Sequence, residues 1–373
     1  MYTSACRACD STHLSILGEF RGFPSAAQSF YDTRSDALSD PSVNLELRQC
    51  QSCSLIQIPS APVPYFRQVI TAAAIGAATA KKIRIEWIPL IDGFLEPTTR
   101  ILEVGSGRGD FVDLLRSWGF QAEGLESEPP PESGSHIHRG YFPETRLSKK
   151  YDLIVCNNFL EHHPSPRLFL QSVNGHLEQS GLFYVSVPRY EYLYDKSCFY
   201  ELIPDHLSYF TEESLINLLR NAGFDILKYY TKNLENDHVV FCRKRNPLNI
   251  SSKVSEFESI VGNLADFMEC QSKAGKSVSV WGAGHRTLTL LSMVKNTYVV
   301  SIVDSAPFKQ GKFSPITGIP IVSPEEFFKS PSEILLLMLP GAYADQVRER
   351  ILCEGFVGSV YLFDDTPEIK KIA

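Results

Sequence analysis

The strongest constraint on the fold is a short stretch, Arg100–Asp110, in which an apolar run leads into three glycines at alternate positions. The run Ile101–Val104 is typical of a buried parallel strand, and the apolar spacing over 111–115 favours a helix. Glycines let the backbone turn sharply and approach a ligand closely, because no Cβ is in the way. Ligands of open α/β sheets bind at the carboxyl ends of strands, where this loop would lie. The stretch therefore predicts an α/β domain with a ligand site at its glycine loop.

The glycine spacing indicates the kind of ligand. A dinucleotide-binding loop has the pattern G-x-G-x-x-G, whereas this loop is G-x-G-x-G and follows an acid, Glu103. It resembles motif I of class I S-adenosylmethionine (SAM) methyltransferases, and the resemblance implies that the loop and the acid hold the methionine end of SAM. Glu126 ends the next predicted strand, about twenty residues later, at the distance expected of a ribose-binding acid. The alternative is a structural turn and a surface glutamate. The cofactor-binding candidates of this region are Glu103, Gly105, Ser106, Gly107, Gly109 and Glu126.

Composition and charge narrow the class of protein. The 373 residues suggest two or three domains, and 43% hydrophobic with 21% charged residues is the composition of a globular protein. A net charge of −7 and a pI near 5.8 argue against nucleic acid as a partner. No apolar run reaches membrane-spanning length, and no secretory signal is visible at the N-terminus. We therefore expect a cytoplasmic protein without a membrane partner.

Residues 1–60 contain two C-x-x-C pairs separated by a long insertion. Two such pairs of thiolates can complete a closed, tetrahedral Zn²⁺ site, and a small module without a large core needs such a link. Disulfides within each pair are the alternative, which a reducing compartment disfavours. We predict a structural zinc module over 1–60, with His13 outside the metal site. Its ligands are Cys6, Cys9, Cys50 and Cys53.

We predict that residues 61–97 form a helical connector. The reason is an Ala-rich sequence from Thr71 to Glu86, which is bounded by prolines, including Pro89. We expect residues 98–245 to form the methyltransferase domain that the resemblance to motif I implies. Within it, Tyr141 and Phe142 follow the third strand, where the fold would bring them beside the adenine, although a core position is equally open for either ring.

The predicted fourth strand of this domain, Tyr151–Cys156, is followed by several polar residues. In methyltransferases the segment after this strand faces the transferable methyl group. We therefore take three residues of this segment as site candidates, and we expect His163, which follows the last of them, to be exposed to solvent. The candidates are Asn157, Glu161 and His162.

An Asp205-His206 pair follows the fifth strand and an aromatic-rich insertion. Methyltransferases build their acceptor pocket in this region, and a histidine that titrates near neutrality can act as a general base. The alternative is that His206 caps a helix or packs in the core.

Residues 255–373 contain a second unit of strand, glycine turn and helix, with Gly282-x-Gly284 after an apolar run and Asp304 at the end of the next strand. A nicotinamide site would show the same spacing, but Thr287 stands where its third glycine would be. We predict a small Rossmann-like domain. Its glycine turn and Arg286 suit a phosphate group of the substrate better than a second cofactor.

Several motifs occur in one order along the whole chain: the cysteine pairs with C-S-L-I-Q (53–57), motif I, D-H-L-S-Y-F (205–210), W-G-A-G-H-R (281–286) and D-S-A-P-F-K-Q-G (304–311). The chain resembles the three-domain SAM-dependent C-methyltransferases of deoxysugar biosynthesis. These have a zinc module, a class I methyltransferase core and a C-terminal Rossmann-like domain. The resemblance implies C-methylation of a nucleotide-linked 4-keto sugar at the carbon beside the ketone.

The resemblance also implies residue roles. His206 corresponds to the family's base and Asp205 to its neighbouring acid, while His162 matches the histidine after the fourth strand. The predicted substrate-binding residues are Tyr65, Tyr209 and Arg286. The chain departs from the family at Ile203, where a tyrosine usually stands three residues before the base.

Two other functions remain open at this point. A pocket without that phenol would also suit O-, N- or C-methylation of another metabolite or natural product. A non-catalytic partner that senses SAM or a nucleotide would keep the same binding motifs.

Overall fold

The computed structural model describes residues 4–26, 30–64, 67, 74–294, 298–363 and 368–373. The chain divides into two compact units, Met1–Pro247 and Leu248–Ala373. None of the helices in the described residues is long and apolar enough to cross a membrane.

The first unit is a mixed α/β structure. Its strands are β1 (Leu14–Phe23), β2 (Val43–Cys50), β3 (Ile56–Gln57), β4 (Arg100–Val104), β5 (Gln121–Glu126), β6 (Ile137–Arg139), β7 (Tyr151–Asn157), β8 (Leu177–Pro188), β9 (Ser208–Tyr209), β10 (Phe224–Lys232) and β11 (Asp237–Lys244). Its α-helices are α1 (Arg34–Leu38), α2 (Ala77–Phe94), α3 (Asp110–Ser117), α4 (Pro166–His176), α5 (Tyr190–Asp195) and α6 (Glu212–Asn221).

Seven strands form the central sheet in the order β10-β11-β8-β7-β4-β5-β6. The five strands β6, β5, β4, β7 and β8 are parallel to one another, and β11 and β10 extend the sheet beyond β8 in antiparallel pairing. Strand β4 is central because it is apolar on both faces: Ile101 and Leu102 are both fully buried, and each belongs to a different core cluster. The chain leaves β4 for β5 on one side and β7 on the other, so a ligand crevice is expected at their carboxyl ends.

A second, four-stranded sheet has the order β1-β2-β3-β9. Three of its strands come from the cysteine-rich N-terminus, and the fourth comes from the segment that follows the predicted base. Ile56 of β3 pairs with Tyr209 of β9. The predicted zinc module is therefore completed by a strand from the middle of the chain.

Helix α2 confirms the helical character predicted for the connector, but its end differs from the prediction. The helix continues through Pro89 to Phe94, because Trp87 and Leu90 lie on its buried face and pack against the central sheet. This burial outweighs the hydrogen bond that a proline removes. The predicted residues 71–73 lie outside the described part of the chain.

The second unit is a parallel α/β structure. Its elements are α7 (Ser251–Lys273), β12 (Val278–Trp281), α8 (His285–Met293), β13 (Val299–Val303), β14 (Ile321–Val322), α9 (Pro324–Lys329), β15 (Ile334–Leu337), α10 (Gly341–Cys353), β16 (Ser359–Phe363) and β17 (Ile369–Lys371). The strand order is β14-β13-β12-β15-β16-β17, with only β17 antiparallel to its neighbour among the described strands. This is the Rossmann-like arrangement that the second glycine turn predicted.

Candidate active site

A cleft of about 460 Å³ lies at the carboxyl ends of β4, β5 and β7, where the strand order reverses. Residues of the glycine loop form one part of its wall, and polar residues after β7 form another. Six of the predicted cofactor residues line it: Glu103, Gly105, Ser106, Gly107, Glu126 and Asn157.

The glycine loop needs its glycines for conformation and for space. Gly105 has φ +72°, and a Cβ there would lie 2.4 Å from Cδ2 of Phe159. Gly109, the N-cap of α3, has φ +92°, and its Cβ would lie 2.7 Å from the end of Ile137. Both positions therefore exclude a side chain. Gly109 supports the loop but is outside the cleft lining.

Glu103 is a buried carboxyl group at the floor of the cleft, 3% exposed. Its Oε1 accepts a hydrogen bond of 3.0 Å from the Asn157 amide, while Oε2 has no hydrogen-bond partner among the described residues. Burial raises the pKa of Glu103 to about 8, and the Asn157 hydrogen bond acts against this rise. An orphaned buried acceptor beside the glycine loop suits a cationic donor such as the ammonium group of SAM.

Glu126 is oriented by its neighbours at the end of β5. Its Oε2 accepts a hydrogen bond of 2.9 Å from the backbone N–H of Gly107, and Oε1 accepts one of 2.7 Å from the N–H of Ser127. The Ser127 hydroxyl also donates to Oε1 at 3.0 Å, so three of the roughly four lone-pair sites of the carboxylate are used and one, on Oε2, remains for a ribose hydroxyl. The residues present therefore fit SAM at both its methionine and its ribose ends.

The two aromatic residues predicted beside the adenine are not among the residues that line the cleft. Phe142 is 1% exposed and packs in the core against Phe169, with ring centroids 5.2 Å apart. Tyr141 stacks on His163 at 5.9 Å with an interplanar angle of 10°. Neither residue lines the cleft, so the core position holds for Phe142. The expectation that His163 is exposed was wrong: it is 4% exposed, because its ring packs under Tyr141.

The predicted catalytic residues converge on one cluster. Glu161 and His162 lie on the single helical turn Leu160–His162 that follows β7, and His206 approaches from the segment before β9. The rings of His162 and His206 have centroids 4.6 Å apart, with an edge-to-face geometry. One ligand atom from each of the three residues lies within 4.8 Å of the others.

Hydrogen bonds fix the geometry of this cluster. Nδ1 of His162 donates to the backbone carbonyl of Asp205 at 3.1 Å, and the backbone carbonyl of Glu161 accepts from the N–H of Leu207 at 2.9 Å. Burial lowers the pKa of both imidazoles and raises the pKa of Glu161 to about 8. His162 is the member of the cluster that lines the cleft.

Four other predicted residues have different surroundings. Asp205 is buried, 3% exposed, and contributes its backbone carbonyl to His162. The hydroxyl of Tyr209 accepts from the N–H and donates to the carbonyl of Ile203, at 3.1 and 3.2 Å, so this phenol is bound by the backbone. Arg286 lies in the first turn of α8 in the second unit. Tyr65 lies outside the described residues.

Sequence reasoning missed the wall contributed by the β10–β11 hairpin and by α2. Lys232 and Asp237 face each other at the end of that hairpin and line the cleft. Burial lowers the pKa of Lys232, and its Nζ donates to the hydroxyl of Tyr184 at 3.5 Å. Glu86 of α2 accepts from the same hydroxyl at 3.0 Å. The available signal was the polar turn between two β-rich runs, which predicts a hairpin but not the site that it faces.

The four N-terminal cysteines come together as predicted. All are free, with Sγ–Sγ distances of 3.5 Å for Cys6–Cys53 and 3.6 Å for Cys9–Cys50, and the four ligand atoms lie within 4.8 Å of one another. Tetrahedral Zn²⁺ with Zn–S near 2.3 Å would separate the sulfurs by about 3.8 Å. The closest pairs join different C-x-x-C motifs, so the donor set fits one zinc ion.

The glycine turn of the second unit is compact. Gly282 has φ +108°, and a Cβ there would lie 2.5 Å from Cδ2 of Leu339. Asp304 accepts hydrogen bonds from the N–H groups of Ala283 and Ala306 at 2.7 and 2.9 Å and pairs with Lys309 at 2.9 Å. Its carboxylate is thus used to close the turn, which weakens the nicotinamide alternative.

Comparison with known proteins identifies two domains. A methyltransferase domain matches residues 79–229, and a C-methyltransferase C-terminal domain matches residues 251–353. C-methyltransferase NovU of Streptomyces niveus is 23% identical over 366 residues, which span 86% of this chain and 86% of that protein. These matches confirm the predicted fold class.

Solved structures are similar to the chain over less of its length. A SAM-dependent methyltransferase from Archaeoglobus fulgidus is 18% identical, with a TM-score of 0.37. The similarity covers 44% of this chain and 94% of that chain. The PH0226 protein from Pyrococcus horikoshii OT3 is 16% identical with a TM-score of 0.38, covering 50% of this chain and 100% of that chain.

Proposed function

Since the chain belongs to a family of SAM-dependent C-methyltransferases, we propose that its acceptor is a nucleotide-linked 4-keto deoxysugar, methylated beside the ketone. The observation that carries the proposal is that His162 of the histidine cluster lines the same cleft as Glu103 and Glu126. The ketone acidifies the neighbouring C–H bond, so a positioned base can remove its proton and leave an enolate. SAM, when bound, supplies an electrophilic methyl group.

Residues of the cleft have separable roles in holding the cofactor. Glu103 accepts a hydrogen bond from the methionine ammonium group, which satisfies its orphaned oxygen. Glu126 accepts a hydrogen bond from a ribose hydroxyl at its remaining acceptor site on Oε2. The backbone at Gly105 and Gly107 leaves room for the cofactor because these residues have no Cβ.

We assign proton removal to the cluster of Glu161, His162 and His206, with His206 as the predicted base. Asp205 orients His162 through its backbone carbonyl. The short segment that carries His206 is tied to the turn of Glu161 by the N–H of Leu207. Two independent chain segments thus hold the same cluster against the cleft, which supports a catalytic role over a packing role.

We further propose that Cys6, Cys9, Cys50 and Cys53 bind a structural zinc ion. Four thiolates leave no open coordination position, so the ion holds chain segments together and takes no part in the reaction. In the second unit, we propose that Arg286 and the turn at Gly284 bind a phosphate group of the acceptor, since the start of α8 offers backbone N–H groups.

A second candidate function is C-methylation of a different small-molecule carbon acid. It is favoured by Ile203, which replaces the family tyrosine, and by the Tyr209 hydroxyl, which is hydrogen-bonded to the Ile203 backbone. A cleft with fewer available phenols would polarise a sugar ketone less well.

The test is an incubation in D₂O with SAM and a thymidine-diphosphate 4-keto deoxysugar, followed by mass spectrometry of the sugar nucleotide. We expect a gain of one methyl group, and deuterium uptake beside the ketone when SAM is omitted. His206→Ala should reduce both by at least ~100-fold, the usual contribution of a general base. The matched control is His138→Ala, which changes an exposed histidine side chain of β6.

Two results would contradict the proposal. Confirmed SAM binding without methyl gain or deuterium uptake would transfer support to the second candidate. Full turnover by His206→Ala would remove the assigned base.

A further inference from the structure

Lys232 is a partly buried cation at the wall of the cleft, on the last residue of β10. Its Nζ donates to the hydroxyl of Tyr184 at 3.5 Å and lies 5.8 Å from the centre of that ring. No salt bridge of Lys232 is found in the described part of the chain. An ammonium group has three N–H donors, so Lys232 retains donors for a ligand.

The nearest phenols hold an acid away from this lysine. The hydroxyls of Tyr184 and Tyr230 both donate to Oε1 of Glu86, at 3.0 and 2.8 Å. The proton of Tyr184 is therefore committed to Glu86, and its oxygen accepts from Lys232. The carboxylate of Glu86 is thus bound by two phenols and forms no ion pair with the lysine.

Lys232 nevertheless lies in an acidic environment. Burial lowers its pKa, and three neighbouring carboxyl groups act against this fall: Glu86, Asp237 and Glu103. These acids favour the charged form of the lysine without contacting it. The cleft wall therefore presents a positive charge together with unused N–H donors, which is the chemistry that recognises an anionic group.

The other cation of the cleft is already paired. Two lysine or arginine side chains stand among the described residues of the lining, Arg108 and Lys232. Arg108 forms a salt bridge with Asp110 at 3.3 Å, so a carboxylate already balances its charge. An anionic group bound in the cleft would gain more from Lys232.

SAM carries one such group. Its methionine end has an ammonium and a carboxylate on the same carbon, so the two charges enter the cleft side by side. Glu103 is the proposed partner of the ammonium, and it lies within electrostatic reach of Lys232: burial raises the pKa of Glu103, and the lysine acts against this rise. The two side chains thus offer opposite charges on one wall of the cleft.

We propose that Lys232 binds the α-carboxylate of the methionine end of SAM through Nζ, as the counterpart of Glu103 at the ammonium. The inference rests on the part of the proposed function that assigns Glu103 to SAM, and it is independent of the acceptor. Lys232 acts as a cofactor-binding residue. In turnover its loss should raise KM for SAM and leave kcat nearly unchanged, because the lysine has no role in proton removal.

The experiment compares two ligands by calorimetry at pH 7, with the full chain and without acceptor. One is SAM, and the other is decarboxylated SAM, which keeps the ammonium and the sulfonium but has a hydrogen in place of the carboxylate. Wild type should bind SAM at least ~10-fold more tightly than decarboxylated SAM. Lys232→Met should bind the two ligands within about twofold of each other, because only SAM loses an interaction.

Controls separate this effect from a general change in the cleft. Any influence of the lost charge on Glu103 or on the ammonium acts on both ligands, so the comparison isolates the carboxylate. Decarboxylated SAM should bind Lys232→Met no more weakly than wild type, which verifies an intact cleft. Lys228→Met changes an exposed lysine of the same strand and should keep the wild-type preference. Lys232→Gln serves if Lys232→Met does not fold.

A preference for SAM that persists in a folded Lys232 variant would overturn the inference, as would a wild-type protein that binds both ligands equally. Neither result bears on the acceptor or on the assigned base, because no acceptor is present. Failure of wild type to bind either ligand would refute the SAM site itself, and this inference with it.

Discussion

Replacing Glu103 by Gln should stabilise the cofactor-free protein at alkaline pH while weakening its binding of SAM. Glu103 has a pKa of about 8 in the fold because it is buried, against a value near 4.5 in the unfolded chain. Between these two values the folded state keeps a proton that the unfolded state has released. Stability therefore falls as the pH rises through this window, by up to ~1.4 kcal/mol per pH unit.

The magnitude follows from the width of that window. From pH 5 to pH 8 the wild-type protein should lose up to roughly 4 kcal/mol of unfolding free energy through Glu103 alone. Glu103→Gln has no ionisable group at this position, so it does not undergo this pH-dependent loss of unfolding free energy. It does bury an amide group whose N–H atoms lack a partner, at a cost of about 1–3 kcal/mol. The variant should thus be no more stable than wild type at pH 5 and clearly more stable at pH 8.

Cofactor binding should change in the opposite direction. The amide oxygen of the variant can still accept a hydrogen bond from the methionine ammonium, but it carries no negative charge, so the variant loses the ion pair with the carboxylate, an interaction worth about 1.5–3 kcal/mol. Calorimetry at pH 7.5 should show SAM affinity reduced by roughly 10- to 150-fold. Urea unfolding at several pH values gives the stability difference, with exposed Glu132→Gln as the control. Parallel pH dependences of wild type and Glu103→Gln would refute the buried-carboxyl reasoning, and unchanged SAM affinity would refute its role in the cleft.

Two further predictions test the glycine loop and the cysteine site. Gly105→Ala should abolish measurable SAM binding, because residue 105 has φ +72° and its new Cβ would lie 2.4 Å from the Phe159 ring. The control is Gly93→Ala, whose Cβ would meet no atom within 4 Å and which should bind SAM normally in the same titration. Cys53→Ser should lower the zinc content measured by elemental analysis from about one per chain and expose 4–60 to proteolysis, whereas Cys270→Ser, at an exposed cysteine of the second unit, should keep the metal. Retention of zinc by Cys53→Ser would rule out the four-thiolate site.

The predicted residues that the structure brings to one cleft are mostly those carried by one short segment. Strand β4, the glycine loop and Glu103 are neighbours along the chain, so local spacing was enough to bring them together. Glu126 needed only the next strand of a parallel sheet. The cysteine site could be predicted from sequence in the same way, because two C-x-x-C pairs at this spacing in a reducing compartment are usually metal ligands.

The parts that were missed depend on packing between distant segments. Lys232 and Glu86 reach the cleft from a hairpin and a connector helix, and no local pattern says which face of either points inward. His163 was expected at the surface because a histidine in a polar run usually lies there, yet Tyr141 covers it. Phe142 was proposed for the adenine, but an apolar ring next to a core that includes Phe169 gains more by burial there.

The backbone of Leu207 connects the cysteine module to the proposed catalytic cluster of Glu161, His162 and His206. Its N–H donates to the carbonyl of Glu161 at 2.9 Å, and its carbonyl accepts from the N–H of Ile58, five residues after Cys53, at 3.1 Å. The next two residues pair with β3 as strand β9. His206 therefore precedes a segment that is held on one side by the turn of the cluster and on the other by the cysteine sheet. A zinc ion that fixes this sheet would also fix the position of His206, so loss of the metal should impair proton removal before it affects the glycine loop or the binding of SAM.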